Sequence, residues 1–378
     1  MRSLNNSLAV MGMVVLALAW SAMAQSAPAP VGPTLDISAA AQNRLTPLET
    51  KQIADYISFH LNQLLTSEVE QHVSAAQIKL LDGFRKYEPF QYRYVYAEQS
   101  AKLSLPAIAK LSQPSDDRLA AIRQTNLGLW LSSMDREATK SALDQMIRSN
   151  NETLRYFGWQ GYRRIRVMVL GQGQRAGDEM LAAMAQSGQN ESSPVVLGAL
   201  LQAMQFPLAA PTGVKAESLK NAQVKSLQTV QALWPRLCSQ IAGGDEEMAN
   251  AARAAMPTIK TLAAADPARK TALLQMLVDA LYAASRSYDL AKGQGSLADA
   301  NAMMMCEVEA TIGQIGTVRM QYMATAITNP KITTPQDRCT EVGLGVISWI
   351  KDLQPLGVVQ PTVQAAATSA PASAPAKK

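Results

Sequence analysis

Histidine and cysteine, the side chains that most often carry acid–base, metal and nucleophilic chemistry, number only two and three in a chain of 378 residues. That scarcity argues against His-based triads and relays. Aromatic residues are 5% and charged residues 17%, the latter below the roughly 25% usual for globular domains. Glycine (21) and proline (19) are too few for a fibrous or low-complexity chain. No run of like charge is long enough for a polybasic tail, and the net charge of +5 is mild, so nucleic acid is a poor fit as partner. Beyond the N-terminus no segment offers 18 uninterrupted apolar residues, which excludes a spanning helix there. What is present is a 48% hydrophobic chain rich in alanine, leucine, glutamine and methionine, all helix formers. An all-α fold is expected, large enough for one sizeable unit or two ordinary ones.

Arg2, the apolar stretch from Leu8 to Trp20 and the small residues before Gln25 predict a secretory signal peptide over 1–24, cleaved after Ala24. The expected location is therefore secreted or periplasmic, with 34 basic against 30 acidic residues left after cleavage and no stable membrane insertion. In an oxidising compartment the three cysteines, Cys238, Cys306 and Cys339, leave at least one unpaired. Cys306 and Cys339 are the candidate disulfide, worth roughly 3 to 4 kcal/mol by chain entropy. The alternative is three buried apolar thiols.

Residues 25–45 and 357–378 are Pro/Ala-rich, lack periodicity and read as disordered linker and tail. Thr46-Pro47-Leu48-Glu49 is a capping box opening a helix over 47–65, and Ser67-Glu68-Val69-Glu70 repeats the pattern before a second. Together they predict an N-terminal helical hairpin over 46–102. Asp266-Pro267 starts a C-terminal helical cap over 266–356, in which a long helix is expected at 297–327 and a last one at 335–353.

Between these caps one unit recurs: an apolar helix end, a short polar turn closing on an acid, amide or hydroxyl residue, and a new amphipathic helix. It runs from Leu111 to Ile122, from Ile147 to Phe157 and from Met184 to Leu200, at intervals of roughly 35 to 40 residues. A degenerate copy follows from Ile241 to Met248. Residues 103–265 resemble the HEAT-like helical repeats on these turns, Asn151-Glu152-Thr153 and Asn190-Glu191-Ser192 among them, with Leu154-Arg155 approaching the family's Val-Arg step. The resemblance implies an irregular α-solenoid of antiparallel helix pairs with helical N- and C-terminal caps, presenting an extended face to partners.

Several motifs suggest chemistry. Gly171, Gly173 and Gly177 imitate a dinucleotide fingerprint, but the third glycine falls one residue late and no βαβ pattern surrounds it. His60 and His72 with Glu68 are too few for a metal site. Ser348-Trp-Ile-Lys351 has the spacing of a serine acyl-enzyme without its companion elements. Met303, Met304, Met305 and Cys306 suggest Cu(I), yet consecutive helical residues point apart. No metal or cofactor is therefore assigned.

Two clusters are candidate ligand sites. Arg155, Arg163, Arg164 and Arg166, with Arg175 beyond them, have no acid between Glu152 and Asp178 and offer bidentate donors for carboxylates or phosphates. Tyr92, Tyr94 and Tyr96 belong to a run of six aromatics over 84–96, which would bind sugars or extended peptide if exposed and seal a helix junction if buried. The sequence thus favours a non-catalytic exported scaffold binding a protein or peptide in the envelope or extracellular space. Its rivals are an envelope polysaccharide or small-ligand binder, and a helical-toroid enzyme acting on glycans through Glu68 and Glu70.

Overall fold

The computed structural model describes residues 32–38, 43–113, 115, 117–316, 320–361 and 363. By its contacts the chain divides after Pro33, and of the first unit only Gly32 and Pro33 are described. The expected signal peptide and residues 364–378 lie outside the described residues.

From Thr34 onward the protein is all-α, with no strand among the described residues. The helices are α1 (Pro47–Thr66), α2 (Glu70–Arg85), α3 (Phe90–Leu111), α4 (Arg118–Ser132), α5 (Lys140–Ile147) and α6 (Glu152–Gly171). Then follow α7 (Gln174–Asn190), α8 (Pro194–Ala203), α9 (Ala216–Ala242), α10 (Glu246–Arg253) and α11 (Met256–Ala265). The C-terminal part has α12 (Lys270–Leu290), α13 (Gly295–Gly316), α14 (Tyr322–Thr328) and α15 (Pro335–Leu353).

Their neighbours follow a rule. Helices α2, α4, α6, α8, α10 and α13 form one row, each packed on the next, and α1, α3 and α5, then α7, α9, α12 and α15, form a second. Between α5 and α7 the second row is joined through α6, which packs on both. Each helix therefore has apolar neighbours on more than one side, and the core runs along the seam between the rows. Trp130, Trp159, Tyr162, Leu200, Trp234, Leu277 and Trp349 are all buried along it. At roughly 1.5–3 kcal/mol per fully buried large apolar side chain, this seam is the main stabilising term. One cross-tie is polar: the Trp234 indole N–H of α9 donates to the Met276 carbonyl of α12 at 2.6 Å.

The recurring polar turns all become helix starts in the first row. Asp117 accepts from Leu119 N–H, Asn151 from Leu154, Ser193 from Val196 and Asp245 from Met248, opening α4, α6, α8 and α10. A first turn has amide donors with no partner in the helix, and where neighbouring helices exclude water a short side-chain oxygen must take them. The Thr46/Glu49 capping box of α1 is present in full.

Elsewhere the fold departs from the sequence reading. The Ser67 box does not form: α2 begins at Glu70 after Val69, and the Ser67 hydroxyl takes the Val69 N–H instead. Helix α3 runs through the division expected at 102/103 and carries Phe90, Tyr92, Tyr94 and Tyr96 of the aromatic run, while Phe84 belongs to α2 and Tyr87 lies between the two helices. The expected helix over 297–327 stops at Gly316, and α14 starts separately. Its start is held by the buried Glu309 carboxylate, which accepts the Met323 and Ala324 N–H groups and the Trp349 indole N–H at 2.7, 2.9 and 2.8 Å. Part of the expected linker is also packed: Leu35 and Ile37 are each 2% exposed. There the Ile37 N–H donates to the Tyr87 hydroxyl, while Lys86 and Tyr87 donate to the Leu35 carbonyl.

Removing a cap tests the rule. Asn151→Ala and Asp245→Ala should each lower unfolding free energy by about 1 kcal/mol, whereas the exposed Ser115→Ala should fall within about 0.5 kcal/mol of wild type, all by urea titration.

Candidate functional site

The arginine cluster lies on α6, whose start is fixed by Asn151. Its members divide by role. Arg155 forks onto the Glu191 carboxylate, Nε to Oε2 at 2.8 Å and Nη2 to Oε1 at 3.0 Å, while its Nη1 donates to the Ser149 and Asn150 carbonyls. Glu191, just after α7, is 7% exposed and also accepts the Ser193 N–H. The Ser193 hydroxyl donates to Glu152 at 2.7 Å, so this knot ties the starts of α6 and α8 together. Arg155 is thus occupied within the chain.

Arg166 is occupied as well. Its Nε donates to the Gln205 carbonyl at 2.6 Å and its guanidinium sits 5.8 Å from the centre of the Phe206 ring. Burial first, and the nearby Arg163 second, lower its pKa to about 10, so it remains cationic at neutral pH. Arg163 reaches Gln202 of α8 at 2.9 Å from an exposed position, Arg164 beside it is exposed, and Arg175 pairs with Glu179 on α7. Only Arg163 and Arg164 face solvent together, next to Gln160 and Gln202.

Of the three tyrosines two are interior, the buried alternative of the sequence reading, so Tyr92 and Tyr96 are not placed to meet a ligand. Tyr92 and Tyr96 are fully buried, donating to the Gly83 and Leu80 carbonyls at 2.6 and 2.8 Å. Burial raises the pKa of both, so they stay neutral donors. Gly83 is required at this crossing of α2 with α3, since an added Cβ would lie 2.6 Å from both Tyr56 Cε1 and the Tyr96 hydroxyl. Tyr94 is only half-buried and stacks on Phe90, itself 58% exposed, over which Arg136 lies at 5.3 Å.

The Cys306–Cys339 disulfide is not formed; all three cysteines are free. The Cys339 Sγ lies 3.3 Å from the Cβ position of Gly293, just before α13, whereas Cys306 is eleven residues into that helix, about 16 Å along its axis. A disulfide needs Cα atoms within about 7 Å. Burial raises all three thiol pKa values, which keeps them protonated and unreactive.

The remaining candidates separate in the same way. His60 is buried edge-on to Tyr56 and Phe59, with Nδ1 3.2 Å from the Gln63 amide oxygen. No group of three or more His, Cys, Asp or Glu gathers for a metal among the described residues. Glu68 and Glu70 share one turn, and Glu70 pairs with Arg118 at 2.9 Å, so they do not face each other across a cleft. The Ser348 hydroxyl is bonded to the Leu344 carbonyl. Met304 and Met305 are buried while Met303 is 50% exposed, pointing apart as expected. Gly171 and Gly173 lie at the α6–α7 junction between two helices, without a strand.

Sequence reasoning missed one concavity, a groove of about 380 Å³ between α7 and α9. Ala182, Ala185, Ala232, Leu181 and Leu233 floor it, and the Asp178–Lys225 ion pair (2.7 Å) closes one end, where Lys225 holds the Asp178 carboxyl below its usual pKa. Its only sequence signal is alanine at solvent-facing helical positions.

No protein-family model matches the chain, and none of the curated proteins matches it either.

Two outcomes follow from these contacts. Arg155→Ala should cost about 2–4 kcal/mol by leaving Glu191 buried and unpaired, while Arg164→Ala should cost under about 0.5 kcal/mol in the same urea titrations. Burial holds the His60 pKa below the 6.5 ordinary for histidine, the Gln63 contact opposing and Lys79 adding to the shift. The unfolded chain therefore takes up the proton first, so this contribution is intact above about pH 6.5 and lost as pH falls below it. Urea midpoints should decline from about pH 7 to about pH 5, and less steeply in His60→Leu.

Proposed function

We propose that the chain is an exported, non-catalytic helical-repeat scaffold that binds a protein or peptide partner in the cell envelope or extracellular space. Its two rows are read as an irregular HEAT-like α-solenoid of antiparallel helix pairs over 103–265, with caps over 46–102 and 266–356. One observation carries this reading: the four recurring turns open four helices, α4, α6, α8 and α10, that are consecutive members of a single row. Such a row offers a continuous face spanning several repeats, the kind of surface on which repeat proteins bind extended partners.

The binding face is assigned to α6 and α8, where Arg163 and Arg164 stand exposed beside Gln160 and Gln202. Two neighbouring guanidinium groups not consumed by buried pairing suit an acidic segment of a partner. Export rests on the cationic start, apolar run and small residues of the first 24 positions. The polysaccharide alternative draws its support from Phe90 and Tyr94, a half-exposed aromatic pair able to stack on a sugar ring.

The test is affinity capture from solubilised envelope of the protein's own source, using the chain from Gln25 onward and an Arg163→Glu/Arg164→Glu variant with unchanged thermal unfolding. One stoichiometric protein recovered by wild type and lost with the variant is the expected outcome. Equal recovery by both, or no recovery, overturns the α6/α8 reading; glycan binding abolished by Phe90→Ala would then favour the alternative.

A further inference from the structure

Beyond α15 the chain stays on the protein surface. It turns at Gly357, whose φ of +85° is left-handed, and the Val358 N–H returns to the Leu353 carbonyl while its side chain is 1% exposed. Two side chains on the outer stripe of α12 then hold the backbone. The Thr271 hydroxyl donates to the Leu356 carbonyl at 2.9 Å. The Gln275 amide meets Val359 twice, accepting its N–H at 2.8 Å and donating to its carbonyl at 3.2 Å. A side-chain amide that satisfies both polar groups of one residue grips extended backbone whatever side chain that residue carries. Further on, Pro361 is half-buried and Val363 packs against the core.

The path leads towards α9. Gln275 also donates to Asp279 one turn on, and Asp279 is near enough to the Cys238 thiol of α9 to raise its pKa, second to burial. Met276, the residue after Gln275, takes the Trp234 indole N–H of α9. Leu233, beside Trp234, lines the groove between α9 and α7 on the other flank of that helix. About one helix spacing, roughly 8–10 Å, therefore separates the Gln275 clamp from the groove. Residues 364–378 span about 45 Å when extended, at about 3 Å each.

Size and charge suit that segment to the groove. A floor of Ala182, Ala185 and Ala232 lets a chain with short side chains lie close to the two helices. Between Gln364 and Lys377 the segment carries nothing larger than threonine or proline. Asp178 and Lys225, the charged residues lining the groove, pair with each other, and residues 364–376 are uncharged. At the rim the exposed Gln189 and Gln228 offer two more amides of the Gln275 kind. Because the segment is tethered next to the groove its effective concentration there is on the order of millimolar, so weak contacts suffice.

We propose that residues 364–378 continue from the Gln275 clamp into the groove between α7 and α9 and occupy it within the same chain. The contact belongs to the second row and is separate from the Arg163 and Arg164 face of α6.

Photo-crosslinking on the chain from Gln25 onward, with p-benzoylphenylalanine in place of Gln228 at the rim, reads the occupant directly. The expected result is an intramolecular crosslink into 364–378, mapped by mass spectrometry. Elastase, which cuts after alanine, gives a second reading without a probe in the groove. Release of the segment should be about tenfold faster in Gln275→Ala, which removes the clamp, and in Ala232→Trp, which fills the groove from an exposed position. Both variants should keep the thermal unfolding of wild type. Absence of a crosslink into 364–378, crosslinks formed solely between two copies, or an elastase rate unchanged by Ala232→Trp would each overturn the proposal.

Discussion

The structure depends on satisfying backbone donors where helices start inside packed surroundings. Asn151, Ser193 and Asp245 each place a side-chain oxygen on the first turn of a first-row helix at buried or partly buried turns, and Asp117 does the same at an exposed one, each within a turn of only a few residues. The short turn lets consecutive helices lie side by side, and the cap lets a helix begin there without leaving amide groups stranded away from water. With both conditions met, a helix can bury apolar residues against the neighbour two places along as well as the one beside it. The rows are the consequence.

The charged residues show how tertiary packing sorts a sequence cluster into roles. Arg155 and Arg166 look alike along the chain, lying eleven residues apart on one helix, and both are consumed by groups from α7 onward. Arg155 meets the Glu191 carboxylate and Arg166 the Gln205 carbonyl. The desolvation of Arg155 and Glu191 is offset by a two-pronged geometry with further carbonyl acceptors, the condition under which a sheltered ion pair is sustainable. Arg163 and Arg164 fall between them in sequence but on the outward face. Helical periodicity separates the two kinds only once the partner helices are known.

Some features had a readable cause and others had none. The capping box at Thr46, the Asn151 and Asp245 starts and the last helix at 335–353 follow from local chemistry and were legible. The break between α13 and α14 was not, because the decisive residue, Glu309, looks like any other helical glutamate until α14 and Trp349 fold back onto it. Leu35 and Ile37 were equally hidden in a Pro/Ala-rich stretch. Two apolar residues separated by an aspartate acquire meaning only when Tyr87 and Lys86 supply hydrogen bonds to the backbone between them.

By itself the sequence determined the all-α class, the capped starts of α1, α4, α6, α8, α10 and α15 and the periodic turns, since these rest on interactions among residues a few positions apart. Burial of Tyr92 and Tyr96, the separation of Cys306 from Cys339 and the pairing of Arg155 with Glu191 were decided by tertiary structure alone. Each depends on which helix arrives from tens of residues away, and no local spacing encodes that arrival.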